Sequence, residues 1–583
     1  MRKRIDLRAA WKKEIFDGGE KNFDLPLTLP IGDVPETVRY SHTIVTDAAD
    51  KNSVWYLELS AVSGAVTVTV DGEKAAAFTS RFAPVTVELT PCIRKGARQE
   101  LALEIRPEAT PDGDFCFGGA APICTERSHF SPETGVTPIE VRPAFDDAGV
   151  TIEVSAAVAN PNNYDVVIFR LYSPDGILLD TENVRPTDCR AAFRLSAPML
   201  WEGRHANFKY RVDAFLQRDA AVLDDVSVTF GLRDAELTRD GFYQLNGLKL
   251  PLYGALLRDA KNVGDAMDAM VSLDANAVFT GALDPACRLP EVCDRLGLML
   301  IYRFPCTGDE RDFDELQRLL PLLRRHPSVA FIAYRSDDVA YAKTFCRLVH
   351  EGAPGVFCAG ESSALTAESI TDAVPDALLL NADAVGFDHD FDALAARFAA
   401  LREAHPAYRY LVFAKPPECL YDVHSTDPRE PDGSQEYFSR WHEKLWEVFG
   451  NQKAVVAFCA GPLTDEGPDA GRTGLITFDY DLKKDAFWFY RTQVALGGFA
   501  KLASLPSHTA EKYIDVKCYS NLPSLSLSVN GKHRKRLQAQ RLSESVFVFR
   551  DIRLRRRINT LVLTGTDAAD SAVICRRREK TRK

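Results

Sequence analysis

No stretch of the chain approaches the ~20 consecutive apolar residues of a membrane-spanning helix. The opening Met1-Arg2-Lys3-Arg4-Ile5-Asp6-Leu7 carries charge without the apolar core of a secretory signal behind it. Both absences lead to the expectation of a cytoplasmic protein with no membrane partner. A basic excess is also lacking. The 82 acidic and 71 basic side chains leave a formal charge of −11, which argues against a nucleic-acid partner, since that requires a concentrated basic face. The one basic concentration, Arg555-Arg556-Arg557 and then Arg576 through Lys583, reads as a solvated strand edge and tail. The thirteen cysteines are odd in number and never spaced Cys-x-x-Cys, so they supply neither a zinc framework nor a disulfide scaffold. Cys116 and Cys124 flank a Gly-rich loop and could pair, but buried free thiols are the better reading. There is no metal-ligand spacing of His or Cys, no phosphate loop and no nucleotide fingerprint, so no cofactor is implied. Low-complexity tracts are missing too, and a composition of 46% hydrophobic and 26% charged residues belongs to a folded chain.

What is present is a change of period along 583 residues, a length that calls for three to five domains. Within residues 1–137, Trp55–Ser60, Ala65–Val70, Val85–Leu89 and Leu101–Ile105 alternate with period two. Asp71-Gly72 supplies the positive φ of a type I′ hairpin. Short strands at this spacing predict a sandwich or jelly roll. Residues from Phe115 to about 137 read as a loop-rich linker. Residues 138–236 repeat the alternation at Val150–Val154, Val166–Leu171 and Tyr210–Phe215, which suits an immunoglobulin-like sandwich. Over residues 237–502 strand-like and helix-like runs alternate. Helices are predicted at Val263–Ser272, Leu289–Leu296 (with Gly297 as C-cap), Phe313–Arg325 and Phe391–His405, each followed by an apolar strand. That alternation predicts an eight-stranded α/β barrel. Residues 503–583 return to β, with Asn530-Gly531 as a second hairpin turn.

Several motifs then become specific. Residues 66–105 run strand, Asp71-Gly72, polar loop, strand. Pro198-Met199-Leu200-Trp201 and Phe230-Gly231-Leu232-Arg233 follow in the second module. Asn246-Gly247, Gly254, Asn276, Cys293-Asp294, Gly297 and His326-Pro327-Ser328 punctuate the third. This series resembles glycoside hydrolase family 2, the β-galactosidases, β-glucuronidases and β-mannosidases, over nearly the whole chain. The resemblance implies a jelly roll, an immunoglobulin-like sandwich, a (β/α)8 barrel and a C-terminal sandwich.

The same resemblance implies where the chemistry should stand. Retaining glycosidases use two carboxyl groups about 5–5.5 Å apart at the C-terminal ends of barrel strands. In the family's acid/base strand, His-Pro-Ser leads to an Asn-Glu pair; here that pair falls on Ser336-Asp337. In the nucleophile strand the Glu position falls on Lys415. The family's sugar-side residues are also replaced. Arg258 follows the strand that opens the barrel, Phe279 stands at an Arg position, Ala282 at a His position and Arg303 at a Glu position. Scaffold residues are kept while sugar-contacting ones are exchanged. Asp337 as a shortened acid would sit about one bond length back, and ~1 Å of misplacement can cost ~10²-fold in rate. The bland reading makes it a loop acid or a helix N-cap. A Lys nucleophile requires a carbonyl substrate, which a glycoside does not offer. Glu418 and Glu361 are substitute carboxylates, and Ser336, Arg258, Phe279, Arg303 and Asn381 are candidate substrate contacts. His326 reads as a structural histidine at the start of a strand.

Three functional readings follow. In the first the chain is a degenerate, glycosidase-like protein that binds carbohydrate without cleaving it. The second is an active retaining β-glycosidase with displaced carboxylates. The third is a structural subunit that forms a homo-oligomer or pairs with an active relative.

Overall fold

The computed structural model describes residues 2–6, 11–15, 19–23, 37–46, 54–59, 62, 64–80, 83, 85–94, 96–106, 122–127, 135–136, 138–238, 241–258, 263–281, 289–361, 375–381, 390–425, 427–467, 471–533 and 538–577. Two antiparallel sheets open the chain. One is six-stranded, in the order Gly19–Phe23, Trp11–Ile15, Val38–Val45, Arg98–Arg106, Gly64–Val70, Glu73–Ser80. The other is four-stranded: Arg2–Asp6, Pro122–Arg127, Val54–Leu59, Val85–Glu88. The alternation read from sequence fills the space between them with Trp55, Leu57, Val66, Val68, Val70, Leu101 and Leu103, all buried. Asp71 and Gly72 have φ of 48° and 80°, as a type I′ turn requires. One expectation is corrected here. Pro122–Arg127, inside the stretch read as linker, is an inner strand paired with both Arg2–Asp6 and Val54–Leu59. Its short, polar sequence carries no strong alternation, and tertiary pairing decides its state. Cys116 lies outside the described residues, and with it the Cys116–Cys124 pairing.

The second module stacks a three-stranded sheet (Glu140–Asp146, Gly149–Ser155, Arg190–Leu195) on a four-stranded one (Leu178–Val184, Val166–Tyr172, Tyr210–Arg218, Ala221–Phe230). The last module is a sandwich of four and five strands, and Asn530-Gly531 makes its hairpin with φ of 53° and 70°.

Between them eight parallel strands close a barrel: β1 Leu252–Leu257, β2 Ala277–Thr280, β3 Met299–Arg303, β4 Val329–Arg335, β5 Phe357–Glu361, β6 Ala377–Asn381, β7 Tyr410–Phe413 and β8 Val455–Pro462. The helices outside it are α1 Val263–Ser272, α2 Leu289–Leu296, α3 Arg311–Leu323, α4 Val339–Gly352, α5 Phe391–Ala404, α6 Gln435–Phe449 and α7 Asp485–Val494. The barrel is a filled core. Phe279, Ile301, Phe331, Ala333, Ala359, Leu379 and Leu411 pack in its lumen, while Leu300, Ile332, Tyr410 and Phe458 face the helices. Among the described residues no helix is long and apolar enough to cross a membrane.

The motif residues singled out in the sequence cluster at the seam between the second module and the N-terminal end of the barrel. Asp294, on α2, is fully buried. It meets His326 Nδ1 at 2.7 Å, accepts from Lys209 Nζ at 2.8 Å and from the Ser328 backbone N–H at 3.1 Å. Burial pushes its carboxyl up, but His326 and Lys209 outweigh that and hold it below the usual carboxylate range. His326 is thus the structural histidine that the sequence predicts. Trp201 donates its indole N–H to the Asp294 carbonyl at 2.9 Å. The Arg233 guanidinium donates to the carbonyls of Pro327, Val329 and Gly355. Gly297, at φ +71°, packs so closely that a Cβ would stand 2.2 Å from Gly203 backbone atoms. These motifs hold two modules together, which is a stability role at the face opposite the barrel mouth.

Candidate functional site at the barrel mouth

Strand alternation decides which side chains reach the mouth. The lumen-facing parity continues to Arg303, Arg335, Glu361 and Asn381, the last residues of β3, β4, β5 and β6. Just beyond the strand ends it reaches Arg258, one residue after β1, and Lys415, two residues after β7. The rim is therefore rich in cations: Arg258, Arg303, Arg335 and Lys415.

Glu361 is the one carboxylate of that parity at the strand ends among the described residues. It is 4% exposed, and its Oε2 accepts from Arg303 Nε at 2.7 Å. In the parallel ladder it lies beside Arg335. Arg303, at the end of β3, thus engages the carboxylate on the lumen side. Arg258 pairs with Glu466. After β8, Asp465 forms a buried pair with Lys484 at 2.7 Å and accepts the Gly474 backbone N–H at 2.8 Å. Burial raises the Asp465 carboxyl, and Lys484 offsets this only in part.

The remaining candidates are spread out. Phe279 is 2% exposed and packs edge-on to Phe413 at 6.3 Å, so it belongs to the lumen core beneath the rim. Asp337 is exposed on the loop after β4, and Ser336 beside it is half-buried. The helix-capping role weighed for Asp337 falls on its neighbour. Asp338 accepts from the backbone N–H of Ala340 at 2.7 Å and Tyr341 at 3.3 Å, and Ser336 Oγ accepts the Asp338 N–H at 3.1 Å. Lys415 and Glu418 are exposed in the segment after β7. Asn381 is half-buried at the end of β6. Ala282 lies outside the described residues. Among the described residues no group of three or more His, Cys, Asp or Glu side chains is placed to hold a metal ion.

Sequence reasoning missed Arg335 and the Asp465–Lys484 pair. The alternation Phe331, Ala333, Arg335 carried the first signal. The second required the fold, since its partners are 19 residues apart on different elements.

No protein-family model matches the chain. A β-glucuronidase of Bacteroides fragilis is 22% identical over 343 residues, covering 51% of this chain and 49% of the relative. A β-galactosidase of Thermoanaerobacter pseudethanolicus is 25% identical over 180 residues, 27% of this chain and 24% of the relative. The matched region thus spans about half the length of the first relative and less of the second. Among solved structures, an FMN-binding β-glucuronidase from Facaelibacterium prausnitzii L2-6 superposes with a TM-score of 0.85 at 22% identity, covering 99% of this chain and 98% of that one. A Bacteroides uniformis β-glucuronidase gives a TM-score of 0.81 at 18% identity, covering 99% and 80%. The sequence likenesses and the superposition over nearly the whole chain relate this chain to glycoside hydrolase family 2.

Proposed function

We propose that this chain is a carbohydrate-binding relative of the family 2 β-glycosidases that takes a β-glycoside at the barrel mouth and is impaired in cleaving it. The observation that carries the reading is the Arg303–Glu361 pair. A retaining mechanism needs one carboxylate free to attack the anomeric carbon and a second carboxyl to protonate the leaving oxygen. Arg303 holds Glu361 in a charge-assisted hydrogen bond that occupies its Oε2. The nucleophile position after β7 carries Lys415, whose ammonium cannot replace a carboxylate in forming a glycosyl ester. Asp337, after β4, is one methylene shorter than the family's acid.

Two of the rim cations, Arg258 and Arg303, already meet Glu466 and Glu361, and the further cations Arg335 and Lys415 suit a sugar that itself bears a carboxylate. This favours a β-glucuronide over a neutral β-galactoside, in keeping with the relatives named β-glucuronidases. The test is thermal unfolding of purified protein with a non-cleaved aryl β-glucuronide or the matching galactoside. A ligand that binds only the folded state raises Tm by mass action. The glucuronide should raise Tm, the galactoside should raise it less, and Lys415→Ala should weaken the effect. Equal or absent shifts would remove the reading. The division into modules at 1–137, 138–236, 237–502 and 503–583 is part of the same proposal.

A second reading, an active glycosidase with displaced carboxylates, is favoured by the exposure of Asp337 and Glu418 on the loops that follow β4 and β7. It requires turnover that disappears in Asp337→Ala or Glu418→Ala.

A further inference from the structure

Among the described residues, a dense cluster of arginines lies at one end of the C-terminal sandwich. Three segments converge there. The turn between strands Val546–Arg553 and Arg557–Thr564 carries Arg553, Arg555, Arg556 and Arg557. The last strand, Ala569–Arg576, ends with Arg576 and Arg577, and the segment before Tyr513 adds Lys512. Pairing brings them together. Arg557 stands opposite Arg576 in the ladder, and Arg553 stands opposite Tyr513. The Leu554 N–H donates to the Lys512 carbonyl at 2.9 Å, and the Arg577 N–H donates to the Thr509 carbonyl at 2.9 Å.

Two like charges directly opposite on a ladder are destabilising, and Arg557 also holds φ at +74°. Neither feature helps the sandwich fold. Among the described residues none of these arginines makes an ion pair with a carboxylate. Arg576 donates only to the carbonyls of Ala510 and Leu554, and Asp515, nearby, is already engaged by Arg550. Glu511, Asp515 and Asp551 are exposed acids close by in sequence. Arg553, Arg555, Arg556, Arg557 and Arg577 are exposed, on a chain whose net charge is −11. Exposed apolar side chains border them: Tyr513 (48%), Ile558 (68%) and Val573 (61%).

We propose that this arginine-lined end of the C-terminal sandwich is a docking face for an acidic polysaccharide, a chain of sugars bearing carboxylate or sulfate groups. The planar guanidinium fork matches such groups with two parallel hydrogen bonds, which the ammonium of lysine does not offer, and arginine supplies six of the seven cations. Tyr513 and the aliphatic side chains offer surface to the apolar faces of sugar rings. The choice of glycan over other polyanions rests on the carbohydrate reading of the barrel. The face would hold a polymer while the mouth takes one of its residues or ends.

The experiment is affinity electrophoresis of the full chain in native gels containing polygalacturonate, heparin, a neutral galactomannan or duplex DNA. It is run beside the triple variant Arg555→Gln, Arg556→Gln, Arg577→Gln, which leaves the backbone-bonded Arg576 and the barrel untouched. Wild type should be retarded by polygalacturonate or heparin and not by galactomannan. The retardation should fall steeply as salt rises from about 0.05 to about 0.3 M, because the contacts are exposed charges. The triple variant should bind at least tenfold more weakly, with an unchanged Tm and an unchanged thermal shift from the aryl glucuronide. Retardation by neither acidic glycan would overturn the proposal, as would equal retardation of variant and wild type. Retardation by duplex DNA as strong as by the acidic glycans would replace it with a general polyanion face. A missing glucuronide shift in the wild type would count against the barrel reading alone.

Discussion

At the rim of the barrel, Arg303 at the end of one strand meets the buried carboxylate of Glu361 at the end of another. Because Glu361 is buried, its pairing with Arg303 is a structural commitment as well as a chemical one. Glu361→Gln would leave a mostly buried guanidinium without its counter-charge, and removal of one partner of such a pair costs about 3–5 kcal/mol when burial is complete. Arg303 keeps 23% exposure, so the expected loss is smaller, about 2–3 kcal/mol, read from urea unfolding midpoints at constant m. A loss below about 0.5 kcal/mol would mean that the pair is a solvated contact. At the opposite face, Asp294→Asn removes the charge that joins His326, Lys209 and Ser328. The expected cost is about 3–5 kcal/mol near neutral pH. The Asp294 carboxyl is held below its usual range, so its contribution is present above the unfolded carboxylate pKa of about 4 and is lost as pH falls through the lower folded value. The gap between wild type and Asp294→Asn should therefore narrow on acidification below about pH 4.

Among the elements, α6 carries a group that makes stability depend on pH. His442 is fully buried, its Nδ1 lies 2.9 Å from the Tyr490 hydroxyl, and it is packed between Phe438, Trp441 and Tyr490. Burial, helped by the nearby Lys484 cation, lowers its pKa to about 3. The unfolded ring titrates near 6.5, so between about pH 6.5 and about pH 3 the unfolded chain takes up a proton that the folded one refuses. Stability is unaffected by this ring above pH 6.5 and falls below it, by about 2 kcal/mol at pH 5. His442→Gln should flatten the Tm profile between pH 7.5 and pH 5, and an unchanged profile would show that the ring protonates in place. Little of α6 was legible in advance, although Ser434 caps it by accepting the Tyr437 N–H at 3.2 Å. By contrast, α1 and α2 were readable to the residue because an apolar stripe, Gly297 and the following apolar strand agreed. The α3 helix was displaced by two residues, to Arg311–Leu323. Strands such as Trp11–Ile15 and Pro122–Arg127 were hidden because charged or polar side chains occupy much of them, so pairing defines them. For the site, the motif frames pointed to Asp337, Lys415 and Arg303. The partnership of Arg303 with Glu361 was not legible, because it joins residues 58 apart through barrel closure.

For the whole molecule, the motifs most easily recognised in the sequence are those that fix one module on another. Trp201, Arg233, Asn246, Asp294 and His326 all serve the seam between the second module and the barrel. Arg233→Met would leave three carbonyls of the barrel's N-terminal face without their donor. Calorimetry of that variant should show the sandwich and barrel unfolding in separated steps, while a single unshifted transition would deny Arg233 that role. The rim differs in kind, with Arg258, Arg303, Arg335 and Lys415 at or just beyond its strand ends. The most direct measurement is hydrolysis of aryl β-glucuronide, β-galactoside, β-mannoside and β-glucoside by the purified chain, beside Asp337→Ala, Glu361→Ala and Glu418→Ala. An impaired site gives no turnover above the heat-inactivated control for any of the four substrates. Turnover by the wild type that vanishes in one of the three variants would contradict this and identify the carboxylate that carries the reaction.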